Sequence, residues 1–345
     1  MITLKDIAEE ANVSKTAVSL VLNNQAAKNR ISASTRKRVL AVAKSLKYQR
    51  NELATAVKTG KSKVIAFVSL DTGSWEYTGR IMAGIVEELS RQGFSLKVYH
   101  LGHISASRIA EQIISQRVAG VIFHAPLNDD FLLINNEMRK SSIPCATANL
   151  SSRETLFGVT SDDFRGAKDA VKYLFELGHK RIVHISHQHC GVVPEYVKQR
   201  SEGYIAGMRE CLGETTRPRI ELVPTAPLAG RPVAKKVLSV PAALRPTAIF
   251  CISDAVAMET LQEAQRLDIK VPEELSVVGF ADLEMAKYAQ PPLTTVAQPF
   301  EAMGMETATR LLDIISNKQT VIPESRKNIK LKTKLVIRES TGRVN

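Results

Sequence analysis

The feature that most constrains this chain is an alternation of short apolar runs with amphipathic stretches, which begins at Val64 and recurs in two successive series. In the first series, residues 64–70, 95–99, 120–124 and 144–148 read as strands, separated by helices over 81–92, 107–116 and 131–140. In the second, helices over 165–177, 198–212, 231–239 and 254–267 alternate with strands over 181–186, 220–223, 248–252 and 276–280. Runs such as Val64-Ile65-Ala66-Phe67-Val68 are apolar throughout, as a parallel strand covered on both faces requires. Two βα series predict two doubly wound parallel-sheet lobes. In such sheets ligands bind outside the carboxyl ends of the strands, here in the cleft between lobes.

Residues 1–48 have a different period. Leu4, Ile7, Ala8 and Ala11 recur at helical spacing behind Thr3, with Asp6 three residues on, a capping-box pattern. Asn12 suits the left-handed turn that ends this helix. Ser14 can cap a second helix that turns Ala17, Val18, Val21 and Leu22 inward, and Ser32 a third with Thr35, Val39, Val42, Ala43 and Leu46 inward. The first 63 residues carry 13 Lys and Arg against 4 Asp and Glu, a net +9 out of +12 for the whole chain. A basic helical head on a nearly neutral body points to a polyanion such as nucleic acid, with a merely solvated basic face as the plainer reading. Residues 49–63 lack a wide apolar face and read as a short helix and linker, too short to be stable alone.

Other classes find little support. The four cysteines, Cys145, Cys190, Cys211 and Cys251, form no CxxC pair and read as reduced thiols. No signal peptide or membrane-length apolar stretch is visible, so a cytoplasmic, soluble chain is expected. P-loop, GxGxxG and GxSxG motifs are all missing, which weighs against an enzyme. His184-Ile185-Ser186-His187-Gln188-His189-Cys190 is rich in metal-ligating types, yet strand alternation sends His184 and Ser186 to one face and Ile185 and His187 to the other. No metal and no cofactor are expected. A strand-end contact to a ligand by His187 or His189 is the alternative to an ordinary loop.

The stretch Thr3-Leu4-Lys5-Asp6-Ile7-Ala8, then Ala11-Asn12-Val13-Ser14-Lys15-Thr16-Ala17-Val18-Ser19, strongly resembles the head of LacI/GalR-type bacterial transcriptional regulators. Later landmarks keep the family's order: Gly84-Ile85, Leu177-Gly178-His179-Lys180-Arg181-Ile182, Gly203-Tyr204, Pro246-Thr247-Ala248, Val271-Pro272-Glu273-Glu274 and Pro292-Leu293-Thr294-Thr295. The resemblance implies an all-α helix-turn-helix head (1–48), a hinge (49–63) and an α/β core of the periplasmic-binding-protein type (64–345). It divides the core into a first lobe of about 64–160 plus 292–322 and a second of about 161–291 plus 323–345.

It also implies site residues. Lys15, Thr16 and Leu20 fall where the family reads bases; Leu20 stands where a longer polar residue is common, so it packs on a thymine methyl or adds little. Thr3, Ser14, Ser19, Asn23, Ser32 and Thr35 fall at phosphate-contacting positions, each with a plainer reading as a cap or surface polar group. In the hinge, Asn51, Ala54 and Val57 match the minor-groove segment. Val57 replaces the usual leucine wedge, with Leu53 as a possible helper, and Arg50 replaces a proline. Trp75, Tyr77, Thr78, His103, His124, Asn149, Arg200, Ser253 and Gln298 fall at cleft-lining positions. Asp254 reads as the cap of its helix. Asn149 and Ala281 stand where sugar-binding relatives often carry aspartate; with Arg200 as a bidentate clamp, this leans toward a sugar acid or sugar phosphate over a neutral sugar.

The expected protein is a ligand-responsive regulator, read as a repressor, that binds a palindromic operator in double-stranded DNA as a homodimer. A sugar or sugar derivative controls it; a nucleobase corepressor is the alternative. A solute-binding protein would share the core but has no use for the basic head. The tail shows no apolar heptads for a further helical assembly.

Overall fold

A computed structural model describes residues 2–22, 26, 29–48, 62–70, 75–125, 127–151, 153–188, 193–224, 228–317 and 327–344. The chain divides into two compact units, Met1–Ser62 and Lys63–Asn345.

The first unit contains α1 (Leu4–Glu10), α2 (Lys15–Leu22) and α3 (Ala33–Ser45). The Thr3 side chain accepts from the backbone N–H of Lys5 and Asp6, while Asp6 accepts from the Thr3 N–H, so the reciprocal cap forms as its sequence signature implies. Asn12 takes φ of 47° in the turn after α1. Ser14 Oγ accepts from Ala17 N–H at 3.1 Å, and Ser32 Oγ from Thr35 N–H at 3.2 Å. Ile7, Val18, Val21, Val39 and Ala43 form a small core from all three helices.

The second unit holds two six-stranded sheets. In the first, β1 (Val64–Ser69), β2 (Ser95–His100), β3 (Gly120–His124), β4 (Cys145–Ala148), β5 (Phe157–Ser161) and β11 (Asn328–Leu331) lie in the order β11-β5-β4-β3-β1-β2, all parallel. Around it pack α4 (Glu76–Arg91), α5 (Ala106–Ser115), α6 (Asp129–Lys140) and α12 (Phe300–Asn317). In the second, β6 (Ile182–Gln188), β7 (Arg219–Pro224), β8 (Ala248–Cys251), β9 (Ser276–Ala281), β10 (Thr294–Ala297) and β12 (Lys334–Val336) lie in the order β12-β10-β9-β8-β6-β7, with only β12 antiparallel. Its helices are α7 (Asp163–Glu176), α8 (Glu195–Leu212), α9 (Gly230–Leu238), α10 (Asp254–Arg266) and the single turn α11 (Glu284–Lys287).

The chain crosses between lobes three times, and this corrects the expected division. The segment 292–297, placed by resemblance in the first lobe, pairs as β10 with β9 in the second sheet. Residues 328–331, placed in the second lobe, pair as β11 with β5 in the first. Strand pairing is non-local, and the composition of these short strands says nothing of their partners. A second correction is that α4 begins at Glu76, not near Ile81, which moves Tyr77 and Thr78 from a loop onto a helix.

Two landmark glycines acquire a packing reason. A Cβ on Gly84 would lie 2.0 Å from Glu301 O, and one on Gly304 2.0 Å from Ile81 O, so α4 and α12 touch backbone to backbone. Gly203 plays the same part between α8 and α7, where a Cβ would lie 2.2 Å from Phe164 O.

Candidate functional site

Two surfaces carry the candidate chemistry, one in each unit. In the head, Lys15 and Thr16 open α2 and are exposed. Leu20 is half-buried and stands outside the core cluster that takes Val18 and Val21. Thr3, Ser14 and Ser32 all serve as helix caps, and Thr35 Oγ1 accepts from Ser32 Oγ at 2.9 Å. N–H groups and partial positive charge gather at these helix starts, so a cap and a phosphate contact are compatible roles. Ser19 lies half-buried in mid-α2. Asn23 and the hinge positions Arg50, Asn51, Leu53, Ala54 and Val57 lie outside the described residues.

In the second unit the carboxyl ends of both sheets supply the site. Ser69 stands in register with His100 on one side and His124 on the other, across the ends of β2, β1 and β3. His124 is fixed from several directions. Its Nδ1 lies 3.0 Å from Ala148 O, so that nitrogen carries the proton, and its Nε2 lies 3.3 Å from Thr78 Oγ1. Its ring is 5.8 Å from that of Tyr77, which in turn meets Trp75 at 5.4 Å and Phe300 at 5.7 Å. Trp75, the N-cap of α4, is 56% exposed, so this aromatic group opens to solvent. Thr78 is fully buried and supports His124 from behind. Asn149 takes φ of 60° just beyond β4, its N–H bound to Val159 O at 2.8 Å. His103 lies in the turn just after the edge strand β2, its ring tilted at 55° to that of His100 with centres 4.4 Å apart, and β2 is two places from β3.

Arg200 is the largest departure from expectation. The clamp foreseen as facing a ligand is buried and engaged inside the protein. Nε donates to Asp163 Oδ2 at 3.1 Å, Nη1 to Ile252 O at 2.7 Å and Nη2 to Gln298 Oε1 at 3.0 Å. The guanidinium also lies 3.8 Å from the centre of the Phe280 ring and 5.0 Å from that of Tyr196. Gln298 Nε2 donates to Ser161 Oγ at 2.7 Å, and Ser161 Oγ in turn to Asp163 Oδ1 at 2.5 Å. Burial pushes the Asp163 carboxyl above its ordinary range, while the Arg200 charge and the Ser161 hydroxyl pull it down. This network joins two of the three lobe crossings, one at Ser161–Asp163 and one at Gln298. The lean toward an anionic ligand combines Arg200 with Asn149 and Ala281 in place of aspartates; Asp163 answers the Arg200 part of it.

Ser253, not Asp254, caps α10, accepting from Val256 N–H at 3.4 Å. Asp254 points inward to Thr295 Oγ1 at 2.5 Å and Leu283 N–H at 2.8 Å, and burial raises its pKa to about 6. His184 is buried against Phe250 O and Ser201, while His187 reaches Tyr196 at 3.5 Å. His189 and Cys190 lie outside the described residues.

Ser161, Asp163, Tyr196, Phe280 and Phe300 were not foreseen. Asp162-Asp163 opens a helix and reads as a pair of capping acids. Asp162 does cap, accepting from Arg165 N–H, and only the fold turns Asp163 toward Arg200.

Comparisons with known proteins agree with this architecture. Residues 3–51 match the model of bacterial regulatory proteins of the lacI family, and residues 171–341 match that of a periplasmic binding protein-like domain. The chain is 31% identical over 321 residues to the transcriptional repressor CytR of Escherichia coli K12, covering 90% of this chain and 89% of that one. It is 32% identical over 356 residues to the transcriptional regulator DegA of Bacillus subtilis 168, covering 99% of each. Among solved structures, the lac repressor dimer bound to operator superposes with a TM-score of 0.78 at 24% identity over 99% of both chains, a likeness of fold. The CelR–cellobiose complex superposes with a TM-score of 0.69 at 26% identity, over 99% of this chain and 100% of that one.

Proposed function

This chain belongs to the LacI family of bacterial regulatory proteins, and from that premise we propose that it represses transcription as a homodimer on a palindromic operator, under control of a sugar or sugar derivative bound between its lobes. The family is one of regulators and not of enzymes. Operator DNA and a small effector are its partners. Among the described residues no helix is long and apolar enough to cross a membrane.

The observation that carries the effector reading is the Trp75–Tyr77–Phe300 aromatic group beside His124, together with an Arg200 whose charge is already answered by Asp163. Aromatic faces suit the apolar side of a ring, and the polar neighbours suit its hydroxyls. A neutral sugar fits this balance better than a sugar acid or phosphate. The cellobiose bound by CelR is in keeping with it. The same aromatic group also favours the second reading, a nucleobase-like corepressor, because a heteroaromatic ring stacks equally well.

In the head, Lys15, Thr16 and Leu20 are assigned to base edges, and Thr3, Ser14, Ser19, Asn23, Ser32 and Thr35 to phosphates. Asn51, Ala54 and Val57 are assigned to the minor groove. Ligand and operator then alter each other's affinity by one common factor. Footprinting on promoter DNA, with and without a panel of neutral sugars, sugar phosphates and nucleosides, tests the whole reading. A protected palindrome that one neutral sugar releases is the expected result. Absence of any salt-sensitive palindromic site would overturn it, and protection strengthened by a nucleoside would favour the second reading.

A further inference from the structure

The second lobe has a cavity of about 200 Å³ far from the strands' carboxyl ends. It lies at the amino ends of β6 and β8, where Arg181 precedes the one and Arg245 the other, and Arg343 of the C-terminal segment completes the wall. Glu273 and Glu274 also line it, so three guanidinium groups face two carboxylates. His179 adds no charge. Its Nε2 lies 3.0 Å from Gly342 O and must carry the proton, its Nδ1 accepts from Thr247 Oγ1 at 3.0 Å, and burial lowers its pKa. The wall is therefore cationic by one charge.

One atom in it stands out. Arg245 Nε is buried and, among the described residues, has no hydrogen-bond partner. The nearest carboxylate offers little, since Glu274 Oε1 is 3.9 Å from Arg245 Nη1 and Glu274 Oε2 already accepts from Lys270 N–H at 3.0 Å. Arg181 does not help either, because a guanidinium only donates, and its Nε already donates to Arg245 O at 2.9 Å. Buried N–H groups without acceptors are uncommon, and the guanidinium fork matches an oxyanion with two parallel bonds. The volume is below that of a cavity for a ring-sized ligand, yet ample for a phosphoryl group and a few more atoms.

We propose that this cavity is a second ligand site that binds a phosphate oxyanion, free or as a small monoester, on Arg181, Arg245 and Arg343. The site is independent of the effector cleft. Its occupant would fix the C-terminal segment, which is tied by Val344 N–H to Leu177 O at 3.0 Å and by Gly342 N–H to Ser276 Oγ at 3.1 Å. An anion bridging Arg343 to Arg245 would add a further tie.

The test is calorimetric titration of the full chain with inorganic phosphate and, separately, with glycerol phosphate, alongside hydrogen exchange. The basic head also attracts phosphate, so variants separate the two. Saturable binding is expected, with exchange protection in residues 340–344 and 241–247. Arg245→Met and Arg343→Ala are each expected to weaken it about tenfold. Arg343 is exposed, so its variant remains informative should Arg245→Met fail to fold. Tighter binding of the monoester than of free phosphate would identify a metabolite as the occupant, and equal binding would identify the free ion. Affinity unchanged by Arg343→Ala, or protection confined to residues 2–48, would overturn the proposal.

Discussion

Acid should destabilise the second unit through His184, and the size of the effect follows from its surroundings. This histidine is fully buried in β6, its Nδ1 2.9 Å from Phe250 O and its ring stacked on Phe250 at 4.8 Å. A carbonyl only accepts, so Nδ1 holds the proton and Nε2 accepts from Ser201 Oγ at 3.3 Å. A second proton would place an imidazolium in the interior near Arg200 and His187. Burial accordingly lowers the pKa from 6.5 to about 4. A histidine depressed in this way contributes stability that is complete above its unfolded value of 6.5 and is lost as pH falls toward 4. By pH 5 the loss amounts to ~2 kcal/mol, at 1.36 kcal/mol per unit. The assay is urea unfolding at pH 7 and pH 5, followed by the fluorescence of Trp75, the only tryptophan. In His184→Asn the side-chain amide can still donate to Phe250 O but does not titrate. The variant starts less stable because it leaves a cavity, yet its stability should fall by ~2 kcal/mol less between the two pH values. Other groups titrate alike in both proteins and cancel. Equal losses in the two proteins, or an NMR titration of His184 near 6.5, would refute the argument.

Three further outcomes are expected. Arg200→Met strands the buried Asp163 carboxylate and should cost ~3–5 kcal/mol, most of which returns in the double variant with Asp163→Leu; strictly additive unfolding energies would sink this account. Gly84→Ala should lower stability by ~1–3 kcal/mol, because its Cβ would meet Glu301 O, whereas Gly79→Ala, with no atom of the described residues within 4 Å, should be neutral or stabilising; thermal melts that rank the two alike would contradict the helix-contact reading. Lys15→Ala should cost ~1–3 kcal/mol on a matched operator and relax the preference at one base pair; a uniform loss across all sequences, with a shallower salt dependence, would reassign Lys15 to phosphate.

Local signals in the sequence were strong. Caps at Thr3, Ser14 and Ser32 and the left-handed turn at Asn12 depend on a few neighbouring backbone groups, and each appears where its residue type suggests. The apolar runs of β1, β3 and β8 likewise follow from burial on both faces. The cleft residues were legible in part. Resemblance picks out Trp75, Tyr77, Thr78 and His124, and the fold brings these four together; it also picks out His103, which the fold puts in the turn after the edge strand, beside His100.

The helical head, the βα alternation and the concentration of positive charge at one end are readable without any structure, because periodicity, capping and composition act over a few residues at a time. Tertiary structure alone decided which sheet β10 and β11 join, which of Asp162 and Asp163 turns inward, and that Arg200 spends its charge on a buried carboxylate. Those outcomes depend on partners far apart in the chain, 98 residues in the case of Arg200 and Gln298, and no local pattern encodes a contact of that range.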